Sequence, residues 1–294
     1  MSPQEIQNLL LENHEISCSK QVIKRLLKSN GYACPEISVV KRKPIKSLAT
    51  GHSPHREEQF RILCFLVTLF NDMEHNPILS IDTKKKERLG QLTRNEQLLT
   101  HKEEEVTVYS SDYGFLATGR AIPHGIFDVK LKKGYITLGD SNETADFIID
   151  NLRWWWLNFG KYHYPDATHL LILCDSGGAN GHRHHRFKVL LQQLAKELEI
   201  KFVILHYPPY CSKYNPIERK LFCHVHRTIR NTILIDLEQV QQLMNKTTCK
   251  GLTVIVRIVR KQYLLKQPSN KIDIDEKRIL RHPVLPQFSY TILP

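Results

Sequence analysis

The chain has 294 residues, with 42 lysines and arginines against 30 aspartates and glutamates, which gives a formal net charge of +12. Hydrophobic residues make up 41% of it and charged residues 24%, a balance that excludes a wholly disordered chain. The length suggests about two domains of ordinary size, or one large domain with an appendage. The longest apolar run, residues 62–70, is far shorter than the ~20 residues of a membrane-spanning helix, so no membrane partner is expected.

Charge and cysteine usage narrow the class of protein further. The seven cysteines include no Cys-x-x-Cys pair, and no basic segment leads into an apolar one at the N-terminus, which together favour a reducing cytoplasm. The surplus of positive charge favours a polyanionic partner such as nucleic acid, because each lysine or arginine that meets a phosphate releases a counterion. A basic protein with no such partner explains the charge equally well.

Residues 1–32 are predicted to form two short helices. The first begins at the Ser2-Pro3 pair, and the second begins at Ser19 and ends at Gly31, residue types that are typical of helix ends. Two helices joined by a short turn, the second with a basic face, are typical of helix-turn-helix DNA-binding modules. A solvated lysine face on a helical hairpin is the alternative. The residues of the second helix predicted to contact DNA are Lys20, Gln21, Lys24, Arg25 and Lys28.

Residues 33–57 are predicted to be a basic linker that leads to one large domain over residues 58–294. Prolines at positions 35, 44 and 54 interrupt this stretch around a Lys-Arg-Lys run at 41–43. Segments that follow a DNA backbone share this pattern with ordinary solvated linkers. A long apolar helix is expected from Arg56 to Asn71.

From residue 76 onward the pattern changes to short apolar strands alternating with helices. Strands are predicted at 78–81, 121–129, 135–138, 169–174 and 202–205, and helices at 144–159, through 189–198, from 216 and over 236–246. Lys132-Lys133-Gly134 separates the second and third strands, which favours a hairpin. Strands first, and then strands alternating with helices, predict an α/β fold with a mixed sheet flanked by helices.

Three acidic residues stand where such a sheet would place a site. Asp82 and Asp175 each follow an apolar strand, and Glu218 stands at the start of a helix. Ligands bind outside the ends of strands in open α/β sheets, so we expect the three carboxylates to meet there. Clustered carboxylates need a cation, and oxygen ligands alone suit Mg²⁺ or Mn²⁺. Two such ions promote in-line phosphoryl transfer.

Each acid also has a purely structural explanation. Asp82 would cap a helix that follows it, Asp175 would be an ordinary turn residue, and Glu218 would fit the third position of a capped helix. Histidines and cysteines near the last two acids raise the alternative of zinc, but no pair has the spacing of a zinc finger.

Three consecutive tryptophans, residues 154–156, offer either a base-stacking surface or core packing. Three consecutive residues cannot all point inward on a helix. We therefore expect Trp155 in the core and at least one of the others at the surface or against a partner.

Five motifs in order resemble the Rhodopirellula-type (ISAzo-type) family of bacterial insertion-sequence DDE transposases. The resemblance extends over nearly the whole chain, and the sequence departs from the family pattern at Ser176, Tyr214 and Arg219 without losing a carboxylate. The motifs are Ser80–Glu87, Gly119–Asp128, Asp146–Trp156, Asp175–Gly181, and Pro208-Pro209 followed by Ser212–Glu218.

The resemblance implies an RNase H-like core that cleaves DNA and transfers a 3′-OH strand with two Mg²⁺ or Mn²⁺ ions. It makes Asp82, Asp175 and Glu218 the metal-binding catalytic triad. It also implies that the protein binds DNA, both the terminal repeats of the element and the target. The protein would act as a homodimer or higher oligomer on DNA, in the bacterial cytoplasm with the nucleoid. The basic residues beside the acids that are predicted to contact DNA are Lys84, Lys85, Lys86, Lys213 and Arg219.

Family members usually carry further helical DNA-binding sequence before the point where this chain begins. A truncated, non-catalytic DNA-binding relic or an inhibitor of related transposases is therefore the alternative function. A repair or host nuclease of the same fold is a third reading; it would cut DNA without strand transfer.

Overall fold

The structure is a computed structural model that describes residues 3–33, 55–93, 100–101, 108–110, 113–249, 251–265 and 273–294. The helices are α1 (Pro3–His14), α2 (Lys20–Ser29), α3 (Arg56–Asp72), α4 (Ala145–Trp155), α5 (Lys161–His163), α6 (His185–Leu198), α7 (Cys223–Ile229) and α8 (Leu237–Asn245). Two π-helical segments are Trp156–Gly160 and Glu218–Phe222. Within the described ranges, none of the helices combines the length and the hydrophobicity needed to span a bilayer.

The strands are mostly short, and the longest belong to one sheet. They are β1 (Tyr32–Ala33), β2 (Ile78–Thr83), β3 (Glu87–Leu89), β4 (Leu92–Thr93), β5 (Thr100–His101), β6 (Tyr109–Ser110), β7 (Gly119–Asp128), β8 (Lys133–Gly139), β9 (His169–Cys174), β10 (Lys201–His206), β11 (Thr253–Val259), β12 (Ile279–Arg281) and β13 (Ser289–Ile292).

The chain divides into two compact units, of which the smaller comprises residues 1–47, 88–119 and 229–240. In it α1 and α2 form a helical pair. The Val22 amide donates to Ser19 Oγ at 3.4 Å and so caps α2, and Gly31 follows the helix with φ of 84°. Both predicted helices are confirmed, as are the predicted ends of α2; Ser2, the predicted cap of α1, lies outside the described residues. Most of the predicted linker, including the basic run at 41–43, lies outside the described residues.

A mixed sheet forms the centre of the larger unit, which comprises residues 48–87, 120–228 and 241–294. Its strand order is β11–β8–β7–β2–β9–β10–β13–β12. β7 pairs antiparallel with β2 and β8, whereas β9 pairs parallel with β2 and with β10. Three antiparallel strands extended by two parallel ones give the central strand order of an RNase H-like fold, so the predicted fold class is confirmed.

Helices cover both faces of this sheet, because its central strands are apolar on both sides. Leu170 and Ile172 of β9 pack in a core with α4 and α6. Leu171 and Leu173 of the same strand pack in a second core with α3. Burial on both faces explains why this strand is a continuous apolar run in the sequence.

The tryptophan run packs more completely than expected. Trp155 and Trp156 are both buried, because the helix changes from α to π at residue 156. Trp154 lies partly buried beneath Arg257, whose guanidinium carbon is 4.0 Å from the ring centroid. The expectation that Trp155 belongs to the core is confirmed, and none of the three rings forms an open stacking surface.

Candidate active site

β2 and β9 lie side by side and end at the same edge of the sheet. Ser80 is opposite Leu173 in their parallel register, so Asp82 and Asp175, each two residues further along, come level with each other. Side chains alternate along a strand, and Leu173 packs in the core that contains α3. Both aspartates therefore belong to the face of the sheet that carries α3.

The third acid lies on a helix that packs over this face; we call residues 216–228 the glutamate helix. Gly125 of β7 is opposite Asp82 in the antiparallel pair. A Cβ atom at this glycine would lie 2.6 Å from Cε1 of Phe222, so only glycine allows the helix to approach this closely. Glu218 begins the π-helical part of the glutamate helix, a distortion that is frequent at functional sites.

A buried polar cluster joins the start of the glutamate helix to β2. Ser80 Oγ donates to Asn215 Oδ1 and accepts a hydrogen bond of 2.9 Å from the Ile217 amide. Asn215 Nδ2 donates to the carbonyl oxygen of Ile81 at 3.2 Å. The side chains of Ser80 and Asn215 are fully buried. These bonds fix the glutamate helix to the strand that carries the first acid.

The sequence indicated no role for Ser80, and for Asn215 only that of the cap of the helix that carries Glu218. The Asn215 side chain bonds to β2 instead. One signal for Ser80 was available. It is a polar residue in an apolar strand, two positions before Asp82 and therefore on the same face. Nothing local identifies these contacts of Asn215, because its partners lie more than a hundred residues away in the chain.

The three carboxyl groups are electrostatically coupled. Burial, and then the charge of Asp175, raise the pKa of Asp82 to about 8, although the Thr83 amide opposes this by donating to Asp82 Oδ1 at 2.7 Å. Burial and the charge of Asp175 also raise the pKa of Glu218, against a hydrogen bond from Asp82. Burial raises the pKa of Asp175. Full ionisation of the cluster at neutral pH is therefore unfavourable unless a cation is added.

The donor set fits a divalent cation. Asp175 Oδ1 is buried, and the described residues give it no hydrogen-bond partner, which is costly unless a ligand satisfies it. Carboxylate oxygens alone suit Mg²⁺ or Mn²⁺. In the described part of the chain, no group of three His, Cys, Asp or Glu side chains is placed to hold a metal ion. An ion at these acids would therefore draw part of its coordination from water or substrate oxygens, as is usual for Mg²⁺.

Two of the basic residues predicted to contact DNA lie beside the third acid. An open cavity of about 510 Å³ is lined by Glu218 together with Ser212, Lys213, Arg219 and Cys223. Lys213 and Arg219 are both exposed. Their positive charges lie along one wall of the carboxylate site, where they would attract a phosphate backbone.

Lys84 differs from its neighbours. It is buried and forms an ion pair with Glu87, so it is not part of an exposed basic run. Its positive charge partly opposes the rise in the pKa of Glu218. No helix follows Asp82, since an irregular segment leads from β2 into β3. The explanation of Asp82 as a helix cap was therefore wrong.

The remaining basic residues are exposed. Lys85 points to solvent, and Lys86 Nζ lies 3.5 Å from Glu143 Oε2, a carboxylate whose charge also raises the pKa of Asp82. The α2 residues predicted to contact DNA belong to the smaller unit and are all exposed: Lys20, Gln21, Lys24, Arg25 and Lys28.

A family model described as the Rhodopirellula transposase DDE domain matches residues 1–294. The chain belongs to this family. Its membership agrees with the resemblance predicted from the five motifs, and Asp82, Asp175 and Glu218 are the acids that the fold brings to one edge of the sheet.

Comparison with curated proteins gives no match for this transposase-family chain. Among solved structures it is similar to the Mos1 transposase paired-end complex with left transposon end, at 15% identity and a TM-score of 0.47, over 84% of this chain and 70% of that one. It is also similar to the Mos1 strand transfer complex, at 13% identity and a TM-score of 0.47, over the same shares of the two chains. A Mos1 mariner paired-end complex with Mn matches at 13% identity and a TM-score of 0.47, over 84% of this chain and 66% of that one.

Proposed function

We propose that this transposase-family protein cleaves DNA and joins the resulting 3′-OH end to target DNA at the site formed by Asp82, Asp175 and Glu218. The observation that carries the proposal is the electrostatic coupling of Asp82 and Asp175, at the ends of two adjacent central strands, with Glu218 on the glutamate helix. Family membership supports DNA as the substrate.

Asp82, Asp175 and Glu218 would together hold two Mg²⁺ or Mn²⁺ ions. Such ions, when bound, favour attack on a phosphodiester and stabilise the departing oxygen. The Thr83 amide orients the Asp82 carboxylate, and the Ser80–Asn215 cluster orients the helix that carries the glutamate.

Water would attack the phosphodiester at the element end first, and the freed 3′-OH would then attack target DNA. No serine or tyrosine nucleophile is needed, because both steps transfer a phosphoryl group directly between oxygens. The exposed residues of the cavity wall, Lys213 and Arg219, would hold the backbone of the strand that is cut. Lys85 and Lys86, and the basic face of α2, would contact DNA outside the site, where phosphate contacts position the duplex.

Nicking of supercoiled plasmid with Mg²⁺ or Mn²⁺ tests this proposal without knowledge of the element ends. We expect metal-dependent nicking by the wild type and its loss in Asp175→Asn, with nearly unchanged DNA affinity in a filter-binding assay. Asp166→Asn is the matched control, because Asp166 is an exposed aspartate outside the site, and it should nick normally. Equal nicking by Asp175→Asn and the wild type would refute the proposal.

The same experiment separates the alternatives. Folded wild-type protein that binds DNA but never nicks it would favour a non-catalytic DNA-binding relic or inhibitor. Metal-dependent nicking that is never followed by joining of an added 3′-OH oligonucleotide to the plasmid would favour a nuclease of the same fold.

A further inference from the structure

We infer that His206, oriented by Tyr290, is a positioning residue for Asp175, which it holds by the backbone carbonyl so that the carboxylate is presented for metal binding. This inference rests on the proposed function, since it concerns the same metal site. It assigns a role to two residues that lie outside the catalytic triad.

His206 reaches the aspartate because of the strand register. It is the last residue of β10 and pairs with Cys174 in the parallel ladder with β9, so its ring lies beside the residue that follows. Nδ1 of His206 is 2.9 Å from the carbonyl oxygen of Asp175 and 3.3 Å from Sγ of Cys174. Nε2 is 3.2 Å from Oη of Tyr290.

These contacts fix one tautomer of the ring. A carbonyl oxygen only accepts hydrogen bonds, so Nδ1 of His206 must donate to Asp175. Nε2 of the neutral ring is then an acceptor, and the Tyr290 hydroxyl is placed to donate to it. Both side chains are almost completely buried, so bulk water does not compete for either nitrogen. The hydroxyl of Tyr290 thus selects the ring form that bonds to the aspartate.

The histidine is itself held on two further sides. Its backbone amide donates to the carbonyl oxygen of Phe288 at 2.9 Å. Its backbone carbonyl accepts a hydrogen bond of 3.1 Å from Nε2 of Gln59, a buried residue of α3. A ring fixed in this way transmits its position to the main chain of Asp175.

The next residue of the loop is anchored in the same manner. Nδ1 of His182 lies 3.1 Å from the carbonyl oxygen of Ser176, and Oγ of Ser176 donates to the carbonyl oxygen of Tyr207. None of these bonds involves the Asp175 carboxylate. They leave Oδ1 of Asp175 buried and without a partner within the described residues, which is the arrangement expected of an oriented metal ligand.

The test is a titration of the full-length protein with Mn²⁺, in which free Mn²⁺ is measured by electron paramagnetic resonance and Asp175→Asn supplies the background. We expect His206→Leu to weaken Asp175-dependent Mn²⁺ binding by about 10- to 100-fold, the usual effect of losing a partner of a metal ligand. His206→Asn keeps an amide donor near the position of Nδ1 and should restore most of the affinity. Tyr290→Phe should shift the affinity in the same direction as His206→Leu, and it keeps the inference testable if His206→Leu does not fold.

Asn76→Ala is the control for a general loss of stability. Asn76 is buried, and its Oδ1 accepts from the amides of Thr168 and His169 at 3.0 and 2.8 Å, at the opposite end of β9. It should lower the melting temperature and leave Mn²⁺ affinity unchanged.

Wild-type affinity in both His206→Leu and Tyr290→Phe would overturn the inference while the proposed metal site stands. An equal loss of affinity in Asn76→Ala would also overturn it. Wild-type binding no tighter than that of Asp175→Asn would instead refute the proposed metal site and the inference with it.

Discussion

Bringing the acids together lowers the stability of the folded protein, and Asp82 shows this most clearly. Its pKa rises from an ordinary value of 3.8 to about 8, chiefly through burial and then through the charge of Asp175. The folded protein therefore binds more protons than the unfolded chain between these two values. Stability must fall as the pH rises through this window, because deprotonation is easier in the unfolded state.

This cost predicts a stabilising substitution. In protein freed of divalent cations, Asp82→Asn should raise the free energy of unfolding at pH 8 by roughly 1–3 kcal/mol, after allowance for solvent screening. The gain should be smaller at pH 5, where the wild-type carboxyl is still protonated in the folded state. Urea denaturation at the two pH values measures it. Asp166→Asn is the control and should show no such pH dependence, and a wild type at least as stable as Asp82→Asn at pH 8 would contradict the account.

At the scale of elements, the site depends on how the glutamate helix is attached to the sheet. Two features, the Ser80–Asn215 cluster and the glycine at position 125, set this attachment. Neither follows from helix or strand propensity. Both involve contacts between segments that are remote in the chain, which explains why local pattern reading predicted the elements but not their junction.

Ser80→Ala tests the attachment. It leaves a buried amide oxygen and a buried backbone amide without a partner, which should cost about 1–3 kcal/mol of stability and sharply reduce nicking. Ser141→Ala is the matched control, since Ser141 is also buried and, like Ser80, donates one hydrogen bond and accepts one from a backbone amide; its partners are the Lys261 carbonyl and the Tyr263 amide, each at 3.1 Å. It should lose similar stability but keep its nicking activity. Equal activity of the two folded variants in plasmid nicking would argue against a role for Ser80 in placing Glu218.

The elements that the sequence predicted best are those buried on two faces. The predicted strand at 169–174 has the bounds of β9, because a central strand has an uninterrupted apolar sequence. β11, β12 and β13 were not predicted. β11 was recognisable, because every residue of Thr253–Val259 except Arg257 is β-branched, a composition typical of strands; it forms the edge of the sheet. β13 is recognisable only from its antiparallel pairing with β10.

For the whole molecule, the three acids were predicted through their family motifs, and the fold supplies the reason that they meet. The parallel register of β2 and β9 places two acids level with each other, and the glutamate helix lies over the same face. The buried setting of Lys84 was not predicted, because a run of three lysines has the same sequence whether its first member is buried or exposed. The roles of His206 and Tyr290 depend on pairing across three strands and were equally out of reach.

The proposed function requires Asp82, Asp175 and Glu218 to hold divalent metal as one site. Its most direct test replaces Mg²⁺ with Fe²⁺ and generates hydroxyl radicals at the bound ion, so that the polypeptide is cut next to its metal ligands. We expect three cleavage positions, close to residues 82, 175 and 218, that disappear together when excess Mg²⁺ is added or when Asp175 is changed to Asn. Cleavage at only one of these positions, or cleavage that persists in Asp175→Asn, would contradict it.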